Sequence, residues 1–213
     1  MLHGRPQARR LQAREDVIRA NHPPTTSSGP TTLSARLRRS RLMSGQGFVT
    51  RLAGKTDVEA IGAFIIEAWG QAGPGALGWT GATDGNIREI ASREFLEALL
   101  ERADARVFLA IAGDMVVGFA STERVDEEVV ELSGIIVLEE LKGRGVGGSL
   151  LEAATGAAGE DGYAEMTIRT EPHNERAIAF YTAKGFKPES TRVIIVEGRE
   201  VEVVELRLGL GDA

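Results

Sequence analysis

The residues best suited to chemistry form a glycine-rich run between two apolar segments of different character. Residues 129–138 are short and rich in β-branched side chains, which predicts a buried strand. From Val146 onward, apolar residues recur at every third or fourth position, which predicts an amphipathic helix. Glycines at such a junction let backbone N–H groups approach a ligand, and the helix N-terminus attracts negative charge. A site for a phosphate-bearing cofactor is therefore predicted at Lys142, Gly143, Arg144, Gly145, Val146, Gly147 and Gly148.

The same glycines also fit a dinucleotide-binding pattern. Gly143, Gly145 and Gly148 spell G-x-G-x-x-G, and Glu171 stands 23 residues after Gly148, where such a unit places its ribose-binding acid. Against this interpretation, residues 139–142 separate the strand from the glycines, and the 42 residues after Glu171 hold one helix and a hairpin instead of further βαβ units. No G-x-x-x-x-G-K-[ST] occurs, which excludes a Walker A loop. An NAD- or FAD-binding unit stays as a remote alternative.

Two blocks of sequence, residues 142–147 and residues 174–186, resemble the GNAT family of N-acetyltransferases. Residues 142–147, Lys-Gly-Arg-Gly-Val-Gly, resemble its R/Q-x-x-G-x-G/A signature, with Val137 at the usual strand end five residues earlier. Lys142 replaces the usual Arg or Gln and keeps a positive charge without the planar donor fork. Residues 174–186 resemble the downstream helix of the family, N-x-x-A-x-x-F-Y-x-x-x-G-F. The resemblance covers residues 45–213.

The resemblance implies how a cofactor would be held. Acetyl-CoA would be the co-substrate, and the backbone N–H groups of residues 143–148 would hold its pyrophosphate. The main chain of Ile135, Ile136 and Val137 would pair with the pantetheine arm as an added strand, and one N–H there would polarise the thioester oxygen. Asn174 would hold the arm from the other side.

Tyr181 is the candidate general acid. A phenol with a pKa near 10 can protonate a thiolate whose conjugate acid has a pKa near 8.5, without being ionised at rest. Its place seven residues after Asn174, within the second block, favours this role. The competing interpretation is a core aromatic beside Phe180.

Glu131 is the candidate general base. It lies eleven residues before Lys142, where histone-acetylating relatives carry theirs. Strand alternation predicts that Glu131 shares a face with Ile135 and Val137. The competing interpretation is a solvated charge at the start of a strand. Arg169 occupies the position of the glutamate used by ribosomal-protein-acetylating relatives, which argues against that subclass.

Hydrophobic periodicity and turn residues predict an α/β domain. The order β-α-α-β-β-β-α-β-α-β-β implies a mixed, mostly antiparallel central sheet with helices on both faces, which is also the element order of the acyl-CoA N-acyltransferase fold. Glycine-rich residues 70–85 predict a loop, and the resemblance places Trp79 beside the acceptor, either lining its pocket or packed on the core. The predicted strands are 48–52, 107–111, 116–122, 129–138, 166–170, 193–196 and 201–208, and the predicted helices are 56–69, 86–102, 146–158 and 176–184.

Composition narrows the class of protein. The chain has 213 residues, of which 42% are hydrophobic and 26% charged, values typical of a globular domain. The absence of cysteine excludes disulfides and a cysteine nucleophile, and it fits a reducing compartment, so a cytoplasmic location is predicted. With three histidines, two of them in the N-terminal tail, no metal site is predicted. No apolar run approaches 18 residues, which predicts no membrane span.

Residues 1–44 differ from the rest of the chain. Residues 1–42 hold nine arginines and two acids, about +7, whereas the remainder carries about −13. We predict a basic, disordered extension before an N-acetyltransferase domain at 45–213. A transit peptide and a nucleic-acid-binding arm are alternative interpretations of the tail, and a tail without a folded role is favoured over both.

The sequence therefore predicts transfer of an acetyl group from acetyl-CoA to a primary amine of a small molecule or protein. A non-catalytic acyl-CoA-binding or partner-binding module with the same fold is the alternative from another class. Neither a membrane nor, outside the tail, a nucleic acid is expected as a partner, and a homodimer is compatible with such a domain.

Overall fold

A seven-stranded sheet runs through the part of the chain that the structure describes. The structure is a computed structural model, and it describes residues 47–72, 84–196 and 198–211. The predicted extension at 1–44 and Trp79 lie outside these ranges. The strands lie in the order β1-β2-β3-β4-β5-β7-β6, and every neighbouring pair is antiparallel except β4 and β5. The strands are β1 (Val49–Leu52), β2 (Ala105–Ala112), β3 (Met115–Arg124), β4 (Val129–Val137), β5 (Glu165–Thr170), β6 (Lys187–Val196) and β7 (Arg199–Gly209).

Among the described residues, five α-helices cover the two faces of this sheet. They are α1 (Val58–Ala72), α2 (Asp84–Ile90), α3 (Arg93–Glu101), α4 (Val146–Glu160) and α5 (Glu175–Ala183). On one face α4 packs so closely that a Cβ on Gly118 of β3 would lie 2.9 Å from side-chain atoms of Val146 and Leu150. Since β3 is buried on both faces and also contacts α1, α1 lies on the opposite face. The predicted mixed, mostly antiparallel sheet with helices on both faces is confirmed.

β4 separates from β5 part-way along its length. The parallel pairing joins only three residues of each strand, ending at Glu131 with Thr167, while β4 continues to Val137 and β5 to Thr170. The upper half of β4 therefore has unpaired backbone groups on its β5 side among these residues. Beyond this point the two strands are not paired on the way to the glycine loop, and this separation is called the β4–β5 gap.

A β-bulge interrupts β4 where the gap begins. Thr122 of β3 pairs with Leu132, but the next residue, Ser121, pairs with Gly134, so Ser133 is an additional residue in β4. Gly134 has a φ of 151°, a backbone conformation that favours glycine. A bulge of this kind changes the face to which the following side chains point.

Two elements differ from the sequence-based expectation. The helix predicted at 86–102 is two helices, because the chain turns after α2 and Ser92 starts α3 as an N-cap whose hydroxyl accepts from the N–H of Phe95 at 3.2 Å. β6 starts at Lys187, six residues before the predicted strand. Pro188 disfavours a strand in general, but β6 is an edge strand, where a missing N–H is tolerated.

Candidate active site

The glycine loop leads into an uncapped helix N-terminus. Gly143 and Gly145 have φ values of 79° and 87°, which side-chain-bearing residues rarely adopt. Gly145 is the N-cap of α4 and supplies no capping side chain, so the first N–H groups of the helix lack an intrahelical acceptor. A Cβ on Gly143 or Gly145 would meet nothing within 4 Å. These glycines are therefore needed for backbone shape, and the space beside them is open.

The start of α5 shows how Asn174 is used. Asn174 is the N-cap, and its Oδ1 accepts from the N–H of Ala177 at 3.1 Å. Its side-chain NH2 keeps its donor capacity toward a ligand. The sequence predicted a contact between Asn174 and the cofactor arm, and this role stays a prediction beside the capping role that the structure gives it.

The C-terminal half of α5 packs against the first turn of α4. A Cβ on Gly147 would lie 3.6 Å from the ring of Phe180 and 3.8 Å from Val137, so the two helices and β4 meet at this glycine. The next residue, Gly148, faces Lys184 at the end of α5. The glycine run thus forms a cradle bounded by three elements.

The cations of the cradle differ in how they are neutralised. Lys142 forms an ion pair with Glu139, and Arg176 lies 3.6 Å from the same carboxylate. The hydrogen bond from Lys142 holds the pKa of Glu139 below its usual range. Arg144 is exposed and has no ion pair within the described ranges. The predicted contact through Lys142 therefore has a competing carboxylate, whereas Arg144 does not.

The bulge places Glu131 on the opposite face from the other predicted β4 contacts. Glu131 pairs with Glu123, whereas Ile135 pairs with Ala120. Partners in an antiparallel ladder share a face, and Glu123 and Ala120 are an odd number of residues apart, so they face opposite ways. The prediction that Glu131 shares the face of Ile135 and Val137 is wrong, because Ser133 adds one residue to the alternation.

Glu131 is held by a side chain that the sequence motifs did not connect to it. The Arg169 Nε donates to Glu131 Oε1 at 3.2 Å, and its Nη2 contacts both carboxylate oxygens. Both side chains are largely buried, with 17% and 18% of their surface exposed. Arg169 lies two residues beyond Thr167, the β5 partner of Glu131. No sequence motif connects these two residues, because their contact depends on the register between β4 and β5.

Tyr181 lies on the α4 side of the gap. Its ring packs edge-on against Phe180 at 5.0 Å and Phe186 at 5.5 Å between centroids. The side chain is 5% exposed, and burial raises the pKa of its phenol. The buried ring fits the interpretation of Tyr181 as a core aromatic, and its role as the general acid stays a prediction.

The described residues also bear on metal and membrane binding. Within 47–72, 84–196 and 198–211, no group of three His, Cys, Asp or Glu side chains is placed to hold a metal ion. In the same ranges, no helix is long and apolar enough to cross a membrane. The Nε2 of His173 lies 3.1 Å from a carboxylate oxygen of Glu171.

Comparison with known proteins gives the site a context. A family model described as "Acetyltransferase (GNAT) family" matches residues 78–186, about half of the chain. An uncharacterized N-acetyltransferase of Bacillus subtilis, YhfO, is 28% identical over 101 residues, which are 45% of this chain and 68% of the relative.

Two solved structures resemble the fold. The PaiA N-acetyltransferase from Thermoplasma acidophilum, in complex with coenzyme A, matches with a TM-score of 0.61 and 22% sequence identity. The aligned region covers 75% of this chain and 98% of the PaiA chain. YncA from Salmonella typhimurium, solved with acetyl-CoA, has a TM-score of 0.57 at 22% identity, with 78% and 96% covered. At this level of sequence identity, the similarity to these two structures shows a shared fold alone.

Proposed function

The chain belongs to the GNAT family of acetyltransferases, and we propose that it transfers an acetyl group from acetyl-CoA to a primary amine of a small molecule or protein. The observation that carries this proposal is the junction of the β4–β5 gap with the glycine cradle. The gap offers strand backbone to an extended arm, and the cradle offers N–H donors to the phosphates at the end of that arm.

The residues present fit acetyl-CoA. The uncapped start of α4 and the exposed guanidinium of Arg144 suit a pyrophosphate. The unpaired edge of β4 at Ile135, Ile136 and Val137 suits the amide groups of the pantetheine arm. Acetyl-CoA supplies an activated thioester, and an N–H beside the bulge is the donor that we propose for its carbonyl oxygen.

Proton transfer is divided between the two faces of the sheet. As the amine nitrogen bonds to the acetyl carbon and the C–S bond breaks, Tyr181 on the α5 side, whose phenol is protonated at neutral pH, would donate its proton to the departing thiolate of coenzyme A. Glu131 on the α1 side would accept the proton that the acceptor ammonium loses before attack. The amine would therefore approach from the face opposite α4 and α5.

A base matters most for an acceptor of high pKa. Removing a proton from a lysine-like amine of pKa about 10.4 costs roughly 4.6 kcal/mol at pH 7, against about 1.4 kcal/mol for an α-amine near 8. With Arg169 on both oxygens of Glu131, that carboxylate has to exchange a guanidinium hydrogen bond for the acceptor proton or a bridging water. We propose this exchange as part of acceptor binding.

The ion pair between Glu131 and Arg169 also favours a second candidate function. If the Glu131–Arg169 pair never opens, the chain would be an acyl-CoA-binding or partner-binding module that has the fold without useful turnover. This alternative predicts cofactor binding without release of free thiol in the presence of amines.

Three finer assignments remain predictions. A cytoplasmic location rests on the absence of cysteine from the sequence. We also propose that the chain forms a homodimer and that its acceptor is a small molecule or a protein. Size-exclusion chromatography with light scattering tests the dimer.

The first experiment is calorimetric titration of the full chain with acetyl-CoA, with NADH as the control. Binding of acetyl-CoA alone supports the cofactor assignment, and binding of NADH instead would favour the dinucleotide alternative. A panel of amines is then screened by release of free thiol. A folded chain that binds neither ligand would contradict the proposal.

A further inference from the structure

The end of α5 carries a cation that the sequence motifs do not assign. Lys184 is the C-cap of α5, and its Nζ lies 3.4 Å from the position that a Cβ on Gly148 would occupy. The Lys184 Cε lies 3.7 Å from the same position. Gly148 is the third residue of α4, so its N–H is one of the four without an intrahelical acceptor. The ammonium group therefore stands beside the donors of the cradle.

This placement is electrostatically unfavourable without an anion. The N-terminus of a helix carries a partial positive charge, which repels a nearby cation. The carboxylate of Glu152 lies 3.5 Å from Lys184, but 75% of that glutamate side chain is exposed, so water screens the attraction. The cation and the helix end would both be stabilised by one anion between them.

The other basic side chains near the cradle do not occupy the position of Lys184 beside the start of α4. Glu139 holds Lys142 and lies near Arg176, so these two cations share a local counter-charge. Arg144 approaches from the loop, and Lys184 approaches from α5. Two cations from different elements would enclose a phosphate more completely than the loop could alone.

We propose that Lys184 binds the pyrophosphate of acetyl-CoA. This inference rests on the proposed function, and it adds a binding residue that no family signature places at this position. The contact involves the pyrophosphate, since the ammonium group lies at the third residue of α4, within the same turn that supplies the N–H donors. The helix that carries Tyr181 would then also hold the phosphates.

The test measures cofactor affinity by calorimetry with the full chain at low and moderate salt. Lys184→Gln should weaken acetyl-CoA binding about tenfold, which equals roughly 1.4 kcal/mol, and should reduce the dependence of the affinity on salt. Lys184→Arg, which keeps the charge, should stay close to the wild-type affinity. The loss for Lys184→Gln should be the same with CoA and 3′-dephospho-CoA, because both contain the pyrophosphate.

Two matched variants separate this contact from a structural role. Lys187→Gln removes an exposed lysine at the start of β6 and should leave binding unchanged. Glu152→Gln should leave binding unchanged or tighten it, because it removes a competing carboxylate from Lys184. If Glu152→Gln weakens binding as much as Lys184→Gln does, the lysine acts by joining α5 to α4, and the inference is overturned.

The outcomes also separate this inference from the proposed function. Wild-type chain that fails to bind acetyl-CoA contradicts the proposed function itself. Wild-type binding with an unchanged affinity in Lys184→Gln overturns the inference alone. A loss that disappears with 3′-dephospho-CoA overturns the assignment to the pyrophosphate. Thermal unfolding of each variant confirms that the comparison is made between folded proteins.

Discussion

The two faces of the sheet at the β4–β5 gap present different chemical groups. The face toward α4 and α5 presents backbone N–H groups, glycines and the buried ring of Tyr181. The face toward α1 presents paired charges, with Glu131 held by Arg169 and Glu123 held by Arg102 at 2.8 Å. The first face suits a phosphate-bearing arm of fixed shape, whereas the second can respond to the charge of an acceptor.

The two faces also differ in how far apart in sequence their functional groups lie. The donors of the first face come from consecutive residues, so the shape of one loop decides the geometry. The charge pairs of the second face join residues that lie far apart in sequence, such as Glu131 and Arg169, 38 residues apart. Their contacts depend on the register of three strands.

The largest effect is expected for Tyr181→Phe. Loss of the proton donor should lower kcat about a hundredfold, within the usual range for general acid catalysis, while the Kd for acetyl-CoA changes little. Because burial raises the pKa of Tyr181, the wild-type kcat should show no alkaline loss from phenol ionisation below about pH 10, the ordinary value. A pH–rate profile and calorimetry check both points. An unchanged kcat in Tyr181→Phe would leave only the core role of this aromatic ring.

Glu131→Gln tests the charged face. We expect kcat to fall about tenfold or more with a lysine-like acceptor, because the base is lost, and cofactor affinity to persist. The effect should shrink as the pH rises and the acceptor becomes neutral without help. Glu123→Gln, a neighbour of similar burial on the same face, is the matched control and should reduce kcat far less. Equal losses in both variants would indicate a structural role for the ion pair.

Gly145→Ala tests the backbone of the glycine cradle. Its φ of 87° should make the substitution cost about 1–2 kcal/mol in the free energy of unfolding, although a Cβ meets no atom within 4 Å. Gly156→Ala in the interior of α4 also meets no atom, and its higher helix propensity should stabilise the chain by roughly 0.5–1 kcal/mol. Opposite shifts of Tm, with weaker acetyl-CoA binding only in Gly145→Ala, are expected. Parallel shifts would mean that the loop tolerates another shape.

Glu139→Gln should have the smallest effect. Removing this carboxylate frees Lys142 and Arg176, which should tighten acetyl-CoA binding about two- to threefold at low salt and less at high salt. Because Lys142 holds the pKa of Glu139 below its usual range, the wild-type carboxylate keeps its charge at mildly acid pH. The variant should therefore differ from wild type across that pH range. Weaker binding in Glu139→Gln would show that the carboxylate orders the loop.

Local patterns predicted the fold and the shape of the glycine loop well, whereas the role of that loop in cofactor binding stays a prediction. The sheet, its helices and the glycine cradle each follow from periodicity and turn chemistry over a few consecutive residues. The side of Glu131 was predicted wrongly, since a one-residue bulge at Ser133 leaves no strong mark in composition. The partner of Glu131 was missed because strand register cannot be deduced from a single sequence. The break before Ser92 was also missed, although serine is a common N-cap.

The length of β4 at its bulge decides which face of the sheet Glu131 occupies. Deleting or inserting one residue between Leu132 and Gly134 would move the side chains of β4 before the bulge to the opposite face of the sheet, relative to the side chains after it. Glu131 would then be turned toward α4, while the rest of the signature stayed readable. Strand length at this point is therefore as informative about chemistry as the identity of the acidic residue.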